Sequence, residues 1–304
     1  MRELLLLVSI VLGQLAPNSH LLVQMDQKLR VTPKAATSME GATLPGGWHP
    51  LVASPTKTVL EDYTASAQAV YSIDLESNEV LTSKDLGDHL QIASLTKLMT
   101  AYIILKEEKN LDKVFTVPAL EPQVGDSVIY LTTGDELTVS DLLRGLLIPS
   151  GSDAAQTLAA NNAGSLPAFV AKMNTVATEL NLTNTHFANP VGWDDSANYS
   201  SAKDVTELAR ILLRNKTFAE IVKTKSTAVY STTGRKFNLE TTNQLLYSPG
   251  YEGVKTGYTL GAGECLVSLY VDGNTQVLTT VLGSSNRFGE TDGIKGWILG
   301  HFSW

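Results

Sequence analysis

The chain has 304 residues and 43% apolar side chains, which is enough for one large domain or two with a substantial core. Its formal net charge is −8 and it contains no long basic run, so nucleic acid is not expected as a partner. The single cysteine, Cys265, excludes an internal disulfide and a metal site built from several thiolates.

The N-terminal part of the chain, up to residue 58, is predicted to lie outside the folded domain. Residues 4–12 are apolar apart from Ser9 and follow Arg2, a run that is short for a bilayer span but typical of the apolar core of an export signal. We predict that residues 1–24 form a signal peptide or an N-terminal membrane anchor. Residues 25–58, rich in Pro, Gly, Ser, Thr and Ala, are predicted to be a flexible linker. Export would place the protein outside the cytoplasm, in the periplasm or at the cell surface.

The folded domain is predicted over residues 59–304, and it begins with a hairpin. Residues 67–74 and 79–83 read as strands joined by the turn Leu75-Glu76-Ser77-Asn78. From about residue 98 to 213 the periodicity favours helices, of which the clearest are 139–147, 153–163, 166–180 and 202–213. Ser201 is a candidate N-cap for the last of these helices.

After residue 213 the pattern returns to strands. Strands are predicted at 227–232, 236–241, 253–258, 264–271 and 275–283, and a closing helix at 291–301. Strands, then helices, then strands and a helix indicate an α+β fold with a mostly helical subdomain inserted at about 98–213. The hairpins imply an antiparallel sheet.

Ser94 and Lys97 stand three residues apart at the start of a predicted helix, so their side chains share one face. A serine hydroxyl is a weak nucleophile near neutral pH and needs a base beside it. Lys97 is suited to that role if burial and a second cation lower the pKa of its amine. At a helix N-terminus the backbone N–H of Ser94 would also be available to a developing oxyanion. This spacing is weak evidence by itself, because chance supplies it often in a chain of this length.

Two further motifs follow in chain order. Ser150-Gly151-Ser152 comes after an apolar segment, and the hydroxyl of Ser150 is suited to relay a proton between the lysines and a leaving group. Lys255-Thr256-Gly257 lies on a predicted strand. Lys255 would be the second cation, Thr256 would bind a substrate carboxylate, and Gly257 would let the substrate lie close to the strand. The three motifs together predict acyl transfer by a serine nucleophile with a lysine base.

Motifs of these types in this order occur in penicillin-binding proteins and class A β-lactamases. From about residue 67 to 302 the chain resembles the D-alanyl-D-alanine carboxypeptidases among the low-molecular-mass penicillin-binding proteins, peptidase family S11. Similar blocks occur at 92–100, 143–147, 184–187, 199–204 and 253–259. The resemblance implies a five-stranded antiparallel sheet flanked by helices, a mostly helical subdomain beside it, and a site between the two.

The resemblance also implies a reaction and a set of site residues. Ser94, Lys97 and Ser150 would be catalytic, and Ser94 would attack the peptide bond between the two terminal D-alanines of a peptidoglycan stem peptide. The implied substrate-binding residues are Ser152, Lys255, Thr256, Gly257 and Tyr258. The backbone N–H of Tyr258 would be the second oxyanion donor. β-Lactams would acylate Ser94 as substrate mimics, and no metal or organic cofactor is expected.

Three places depart from the family pattern, and one of them, the block Asn189-Pro190-Val191-Gly192-Trp193, is interpreted as loop variation. The third residue of the second motif is usually asparagine, and here it is Ser152, whose hydroxyl reaches less far than an amide. Some relatives carry an arginine where Thr242 stands, so carboxylate binding would depend more on Thr256 and Lys255. His186 is expected to be structural and bonded within its turn.

Three alternatives remain open. A DD-endopeptidase or transpeptidase would use the same acyl-enzyme with another substrate or acceptor. A β-lactamase of class A would need the glutamate of an E-x-x-L-N segment, which neither 179–181 nor 240–243 supplies. A catalytically weak peptidoglycan-binding homologue would explain the change at Ser152, but the intact Ser94, Lys97 and Lys255 argue against it.

Overall fold

Apolar residues on both sides of one strand explain how the main sheet is covered. Side chains alternate between the two faces of a strand. Along the segment Thr275–Ser284, Val277 and Val281 pack into one apolar cluster, and Leu278 and Leu282 pack into another. A strand that is apolar on both faces needs cover on both faces, and helices provide it here.

The computed structural model describes residues 54–58, 62–85, 89–121 and 127–304. All of these belong to one compact unit, Leu51–Trp304. The predicted signal peptide or anchor at 1–24 and the predicted linker up to residue 53 lie outside the described residues. No helix in the described ranges is long and apolar enough to cross a membrane.

The described helices follow the predicted order closely. They are α1 Lys97–Glu107, α2 Val139–Leu147, α3 Ser152–Ala163, α4 Leu166–Glu179, α5 Ala202–Leu213, α6 Lys216–Val222 and α7 Arg287–His301, with 3₁₀ helices at Ala93–Thr96 and Gln244–Tyr247. Ser201 is the N-cap of α5, as predicted, because its side chain accepts the N–H of Asp204. The short helix α6 was not predicted, and α7 begins four residues before the predicted start because Asn286 caps it.

The described strands are β1 Thr56–Lys57, β2 Ala69–Asp74, β3 Val80–Lys84, β4 Leu90–Gln91, β5 Val114–Thr116, β6 Glu136–Thr138, β7 Tyr199–Ser200, β8 Ser226–Tyr230, β9 Lys236–Glu240, β10 Tyr251–Thr259, β11 Gly263–Asp272, β12 Thr275–Ser284 and β13 Phe302–Ser303. Five of them form the main sheet in the order β10-β11-β12-β2-β3, and all neighbours are antiparallel. The expected α+β fold with a five-stranded antiparallel sheet is therefore confirmed. The hairpin β8–β9 forms a separate two-stranded sheet.

Helices cover both faces of the sheet. The helix α7 packs on one face, where Ile294 and Ile298 join Val277 and Val281. The helix α5 packs on the other face, where the hydroxyl of Thr206 donates to Thr280 Oγ1 on β12 at 2.6 Å. The buried helices α1 and α3 extend the core on this second face away from the sheet, and the 3₁₀ helix Ala93–Thr96 that leads into α1 contacts the edge strand β10.

Asn189 shapes a turn that packs against the Ser94 segment. Its side-chain oxygen accepts the backbone N–H groups of Val191, Gly192 and Trp193 at 3.2, 2.6 and 3.1 Å. Gly192 has a φ of +94°, and a Cβ atom there would lie 1.9 Å from the carbonyl oxygen of Ala93. Only glycine permits both this backbone conformation and this close approach.

Replacing Gly192 by alanine is expected to lower the free energy of unfolding by about 3 kcal/mol, because the new methyl group must push two backbone segments apart. Chemical denaturation of Gly192→Ala measures the loss. Gly296→Ala is the matched control, because nothing lies within 4 Å of a Cβ atom at this helical position. That change should leave stability equal or up to about 1 kcal/mol higher. Equal stabilities for the two variants would contradict this account of the turn.

Candidate active site

Ser94 lies in the 3₁₀ helix Ala93–Thr96, and the α-helix begins only at Lys97. The prediction that Ser94 starts the α-helix was therefore wrong in detail. The pairing of the two side chains survives, because residues three apart eclipse each other on a 3₁₀ helix. Lys97 Nζ donates to Ser94 Oγ at 2.8 Å. Ala93, just before the serine, has a φ of +47°, a strained conformation of the kind that clusters at functional sites.

The ammonium group of Lys97 is held inside the protein. The side chain is buried, and its Nζ also donates to the carbonyl oxygen of Val191 at 2.8 Å. That carbonyl belongs to the turn that Asn189 shapes, so the loop after α4 supplies a hydrogen-bond acceptor for the amine of Lys97. The sequence pattern did not reveal this partner, because the contact joins residues 94 positions apart.

Ser150 and Lys255 form a second hydroxyl–amine pair. Lys255 Nζ donates to Ser150 Oγ at 2.7 Å and to the carbonyl oxygen of Thr256 at 2.8 Å. Lys255 is fully buried, and burial lowers its pKa well below the ordinary lysine value, with further lowering from the charges of Lys97 and Arg287. Ser150 has a φ of +69°, so this hydroxyl also sits on strained backbone.

Ser152 is the first residue of α3 and is buried at the cleft wall. Its N–H donates to the carbonyl oxygen of Ser127 at 2.7 Å, which brings the segment 127–131 alongside the motif. The next residue, Asp153, fixes the same segment, because its Oδ2 accepts the backbone N–H groups of Ile129 and Leu131 at 3.0 Å each. Hydrogen bonds to the backbone of segment 127–131 therefore fix the wall of the cleft that carries Ser150 and Ser152.

The third motif runs along β10 at the edge of the main sheet. The hydroxyls of Thr256 and Thr242 are 2.5 Å apart. A Cβ atom on Gly257 would lie 3.0 Å from the carbonyl oxygen of Ile92 and 3.2 Å from the backbone nitrogen of Ser94. The absence of a side chain thus lets the strand pass directly beside the Ser94 turn. Tyr258 follows with its side chain exposed.

A cleft of about 520 Å³ joins the three motifs. The predicted residues that line it are Ser94, Lys97, Ser150, Ser152, Thr256, Gly257 and Tyr258. Lys255 is not among the lining residues, because its amine lies behind Ser150. The structure thus brings together a hydroxyl and two amines that are far apart in the chain, with one amine at the surface of the cleft and the other beneath it. His186 lies outside the cleft, and its Nδ1 is 2.6 Å from the carbonyl oxygen of Ala197.

Several lining residues were missed by sequence reasoning. Besides Ser127 and Val191, they include Asp194 and Arg287. Arg287 Nη1 donates to the carbonyl oxygen of Gly257 at 2.8 Å, and its buried Nε has no partner among the described residues. The sequence offered no signal for Arg287, because the closing helix was predicted to begin at residue 291 and only the structure places Arg287 as the first residue of α7.

Comparison with known proteins gives a consistent result. Residues 55–286 match the family described as peptidase S11, D-alanyl-D-alanine carboxypeptidase. A curated relative, the D-alanyl-D-alanine carboxypeptidase of Streptomyces sp. strain K15, is 36% identical over 279 residues, covering 85% of this chain and 94% of the relative. The D-alanyl-D-alanine carboxypeptidase DacF of Bacillus subtilis is 37% identical over 225 residues, covering 72% of this chain and 58% of the relative. The chain thus spans little more than half of the Bacillus protein.

The solved structure of the Streptomyces K15 DD-transpeptidase superimposes with a TM-score of 0.73 at 33% identity, covering 79% of this chain and 100% of that one. With the fold, the cleft and the family match in agreement, the chain belongs to peptidase family S11, the D-alanyl-D-alanine carboxypeptidases.

Proposed function

We propose that this protein is a serine-type D-Ala-D-Ala carboxypeptidase, which removes the terminal D-alanine from peptidoglycan stem peptides through an acyl-enzyme on Ser94. The observation that carries the proposal is the 2.8 Å hydrogen bond between Lys97 Nζ and Ser94 Oγ at the surface of the cleft. A nucleophile within hydrogen-bond reach of its base is the arrangement that activation of a serine hydroxyl requires.

In the acylation step, the neutral amine of Lys97 takes the hydroxyl proton while Ser94 Oγ bonds to the carbonyl carbon between the two D-alanines. The oxygen of that carbonyl becomes negative and needs N–H donors. The backbone N–H groups of Ser94 and Tyr258 are assigned this task. The close approach of Gly257 to the backbone nitrogen of Ser94 supports the assignment, because it places both donor segments at one point of the cleft.

The leaving group is the amino group of the terminal D-alanine, which must gain a proton as the peptide bond breaks. Ser150 is assigned as the relay that delivers it, since its hydroxyl faces the cleft and is bonded to Lys255 behind it. A water molecule then attacks the ester carbonyl, returns the hydroxyl to Ser94 and releases the shortened peptide. Burial and the charge of Lys97 lower the pKa of Lys255, which disfavours protonation of both amines at once.

Recognition of the substrate's terminal carboxylate is assigned to Thr256 and Arg287. Both line the cleft, and Arg287 is fixed next to Gly257 by its bond to that residue's carbonyl oxygen. A guanidinium group has donors left over for a carboxylate after one bond to the protein. Arg287 thus takes the place of the arginine that some relatives carry where Thr242 stands. On the opposite wall, Ser152 is assigned to bind the acyl part of the substrate through its hydroxyl.

β-Lactams are proposed as covalent inhibitors that acylate Ser94. Because residues 4–12 are typical of the apolar core of an export signal, we also propose that the protein acts in the periplasm or at the cell surface. Residues 1–24 are proposed as the export signal or as a membrane tether, and residues 25–58 as the linker to a catalytic domain over 59–304. The end of that linker is ordered on the domain, because Thr56–Lys57 pairs with β13.

A DD-transpeptidase is the second candidate, because the similar Streptomyces structure carries that name. It shares the acyl-enzyme and differs only in whether water or an amine accepts the acyl group. A β-lactamase is less well supported, since the carboxylate among the described lining residues, Asp194, is bonded to the backbone N–H of Gly261 and lies at the cleft rim. Mass spectrometry of the acyl product formed with and without added glycine separates the two acceptors, because water gives the free shortened peptide and glycine gives its glycine-terminated adduct.

Ser94→Ala should abolish labelling by a fluorescent penicillin and lower D-alanine release from a pentapeptide by at least ~10⁴-fold, because the nucleophile is removed. Mass spectrometry of the labelled wild-type protein should place the adduct on Ser94. Ser83→Ala, an exposed serine outside the cleft, is the matched control and should keep both activities. A labelled Ser94→Ala protein, or an adduct on another residue, would refute the proposal.

Arg287→Gln should move the acid limb of the pH profile of kcat/KM to higher pH. Arg287 is one of the positive charges that lower the pKa of Lys255, and its removal makes the protonated amine less costly. The pKa of the amine pair then rises, and a higher pH is needed to form the neutral amine that acts as base. The pH at which kcat/KM falls to half of its maximum gives the position of the limb. The height of the profile reports the loss of substrate affinity separately. Arg214→Gln, an exposed arginine outside the cleft, should leave the limb in place; an unmoved limb in Arg287→Gln would contradict the charge assignment.

A further inference from the structure

Asp194 gives the cleft rim a negative charge that the proposed reaction does not use. Its side chain is exposed, and it lies two residues after Gly192 on the turn that packs against Ser94. Among the Asp, Glu, Lys, Arg and His residues that line the cleft in the described ranges, the other two are basic, Lys97 and Arg287. No lysine, arginine or histidine within the described part of the chain forms a salt bridge with Asp194. The carboxylate is therefore available to a cation from outside the protein.

The carboxylate of Asp194 is held in place at the end of β10. Its Oδ2 accepts the backbone N–H of Gly261 at 3.0 Å. A Cβ atom on Gly261 would lie 3.0 Å from the carboxylate carbon of Asp194 and 2.1 Å from the side-chain oxygen of Gln91. A glycine at position 261 lets the loop after β10 pack against the segment that carries Asp194. The two segments therefore contact each other at the rim of the cleft.

Apolar surface lies directly beside this carboxylate. Leu260 is 91% exposed and Tyr258 is 58% exposed, and both line the cleft. A carboxylate next to exposed apolar side chains complements a side chain that consists of methylene groups ending in an ammonium group. A terminal amide, carboxylate or methyl group in the same place would leave Asp194 with no opposite charge.

The direction of the substrate brings one particular residue to this rim. Under the proposed function, the terminal carboxylate lies at Thr256 and Arg287 and the scissile bond lies at Ser94. From the scissile bond, the N-terminal part of the substrate peptide then runs along β10 towards the C-terminal end of that strand. The three strand steps from Thr256 to Thr259, the last residue of β10, span roughly 10 Å, and Leu260 follows in the turn. That length accommodates the two D-alanines and the side chain of the residue that precedes them.

We propose that Asp194 is a specificity-determining residue that binds a free side-chain ammonium group on the stem-peptide residue immediately before D-Ala-D-Ala. Leu260 covers the methylene groups of that side chain. The inference rests on the proposed carboxypeptidase function and names the substrate class: peptides whose third residue is a diamino acid with its distal amine free. The contact is an exposed ion pair, so it selects among substrates without taking part in the chemical step.

Two peptides test the inference: Nα-acetyl-L-Lys-D-Ala-D-Ala, which has a free side-chain amine, and its Nα,Nε-diacetyl form, which does not. For the wild-type protein, kcat/KM should be about two- to fivefold higher for the free amine, the range expected of an exposed ion pair. Raising the salt concentration should reduce the ratio, because exposed charges are screened. In Asp194→Asn the ratio should fall to about one. The asparagine oxygen can still accept the N–H of Gly261, so the loop contact is preserved.

Asp195→Asn is the matched control, because Asp195 is the next residue, is also exposed and does not line the cleft. It should keep the wild-type ratio. A wild-type ratio of one, or an unchanged ratio in Asp194→Asn, would overturn the role of Asp194 while leaving the carboxypeptidase function intact. Failure of the wild-type protein to release D-alanine from either peptide would instead overturn the proposed function and the inference with it.

Discussion

Two buried lysines, one of which lowers the pKa of the other, are the constraint on which the rest of the site depends. An unpaired buried charge is costly, so each amine needs hydrogen-bond acceptors and a means of losing its proton. Lys97 has the hydroxyl of Ser94 and a carbonyl oxygen, and Lys255 has the hydroxyl of Ser150 and a carbonyl oxygen. Burial and mutual repulsion lower the pKa of Lys255. Desolvation and charge repulsion make it unfavourable to bury these lysines in the protonated form. The same two effects favour the neutral amine that a base requires.

The backbone around these lysines is strained and is held by packing from several elements. Ala93 and Ser150, each at a proposed catalytic position or next to one, have positive φ angles without being glycine. The hydroxyl of Thr100 on α1 donates to the carbonyl oxygen of Pro190 at 2.7 Å, which fixes the turn behind Lys97. Asn198 donates to Thr96 Oγ1 at 2.9 Å and ties the same loop to the Ser94 segment. Rigid support of this kind is what keeps strained residues in place at a site.

Charge changes sign between the interior of the cleft and its rim. The basic side chains of Lys97 and Arg287 lie with Thr256 around the position proposed for the scissile bond and the terminal carboxylate, and Asp194 lies beside Gly261, just beyond the C-terminal end of β10. A peptide that is negative at its terminus and positive two residues earlier matches this distribution. The position of β10 at the edge of the main sheet allows the match, because an edge strand can accept an extended peptide along its open side.

Local spacing determined much of this protein in advance. The α+β class, the hairpin strands and most helices follow from hydrophobic periodicity, and the pairing of Ser94 with Lys97 follows from a separation of three residues. That pairing held even though the segment is a 3₁₀ turn, because eclipsed side chains meet there as well. Glycine at position 257 was expected to let a substrate lie close to the strand, and in the structure the segment that approaches it is the Ser94 turn.

Tertiary structure alone decided which distant groups meet. Four contacts at the site join segments that are far apart in the chain. They are the bond of Lys97 to the carbonyl of Val191, that of Arg287 to Gly257, that of Lys255 to Ser150 and that of Asp194 to Gly261. Sequence spacing specifies geometry only over a turn or two of backbone. Contacts between separate elements are set by how the helices and the sheet pack, and no local pattern encodes them.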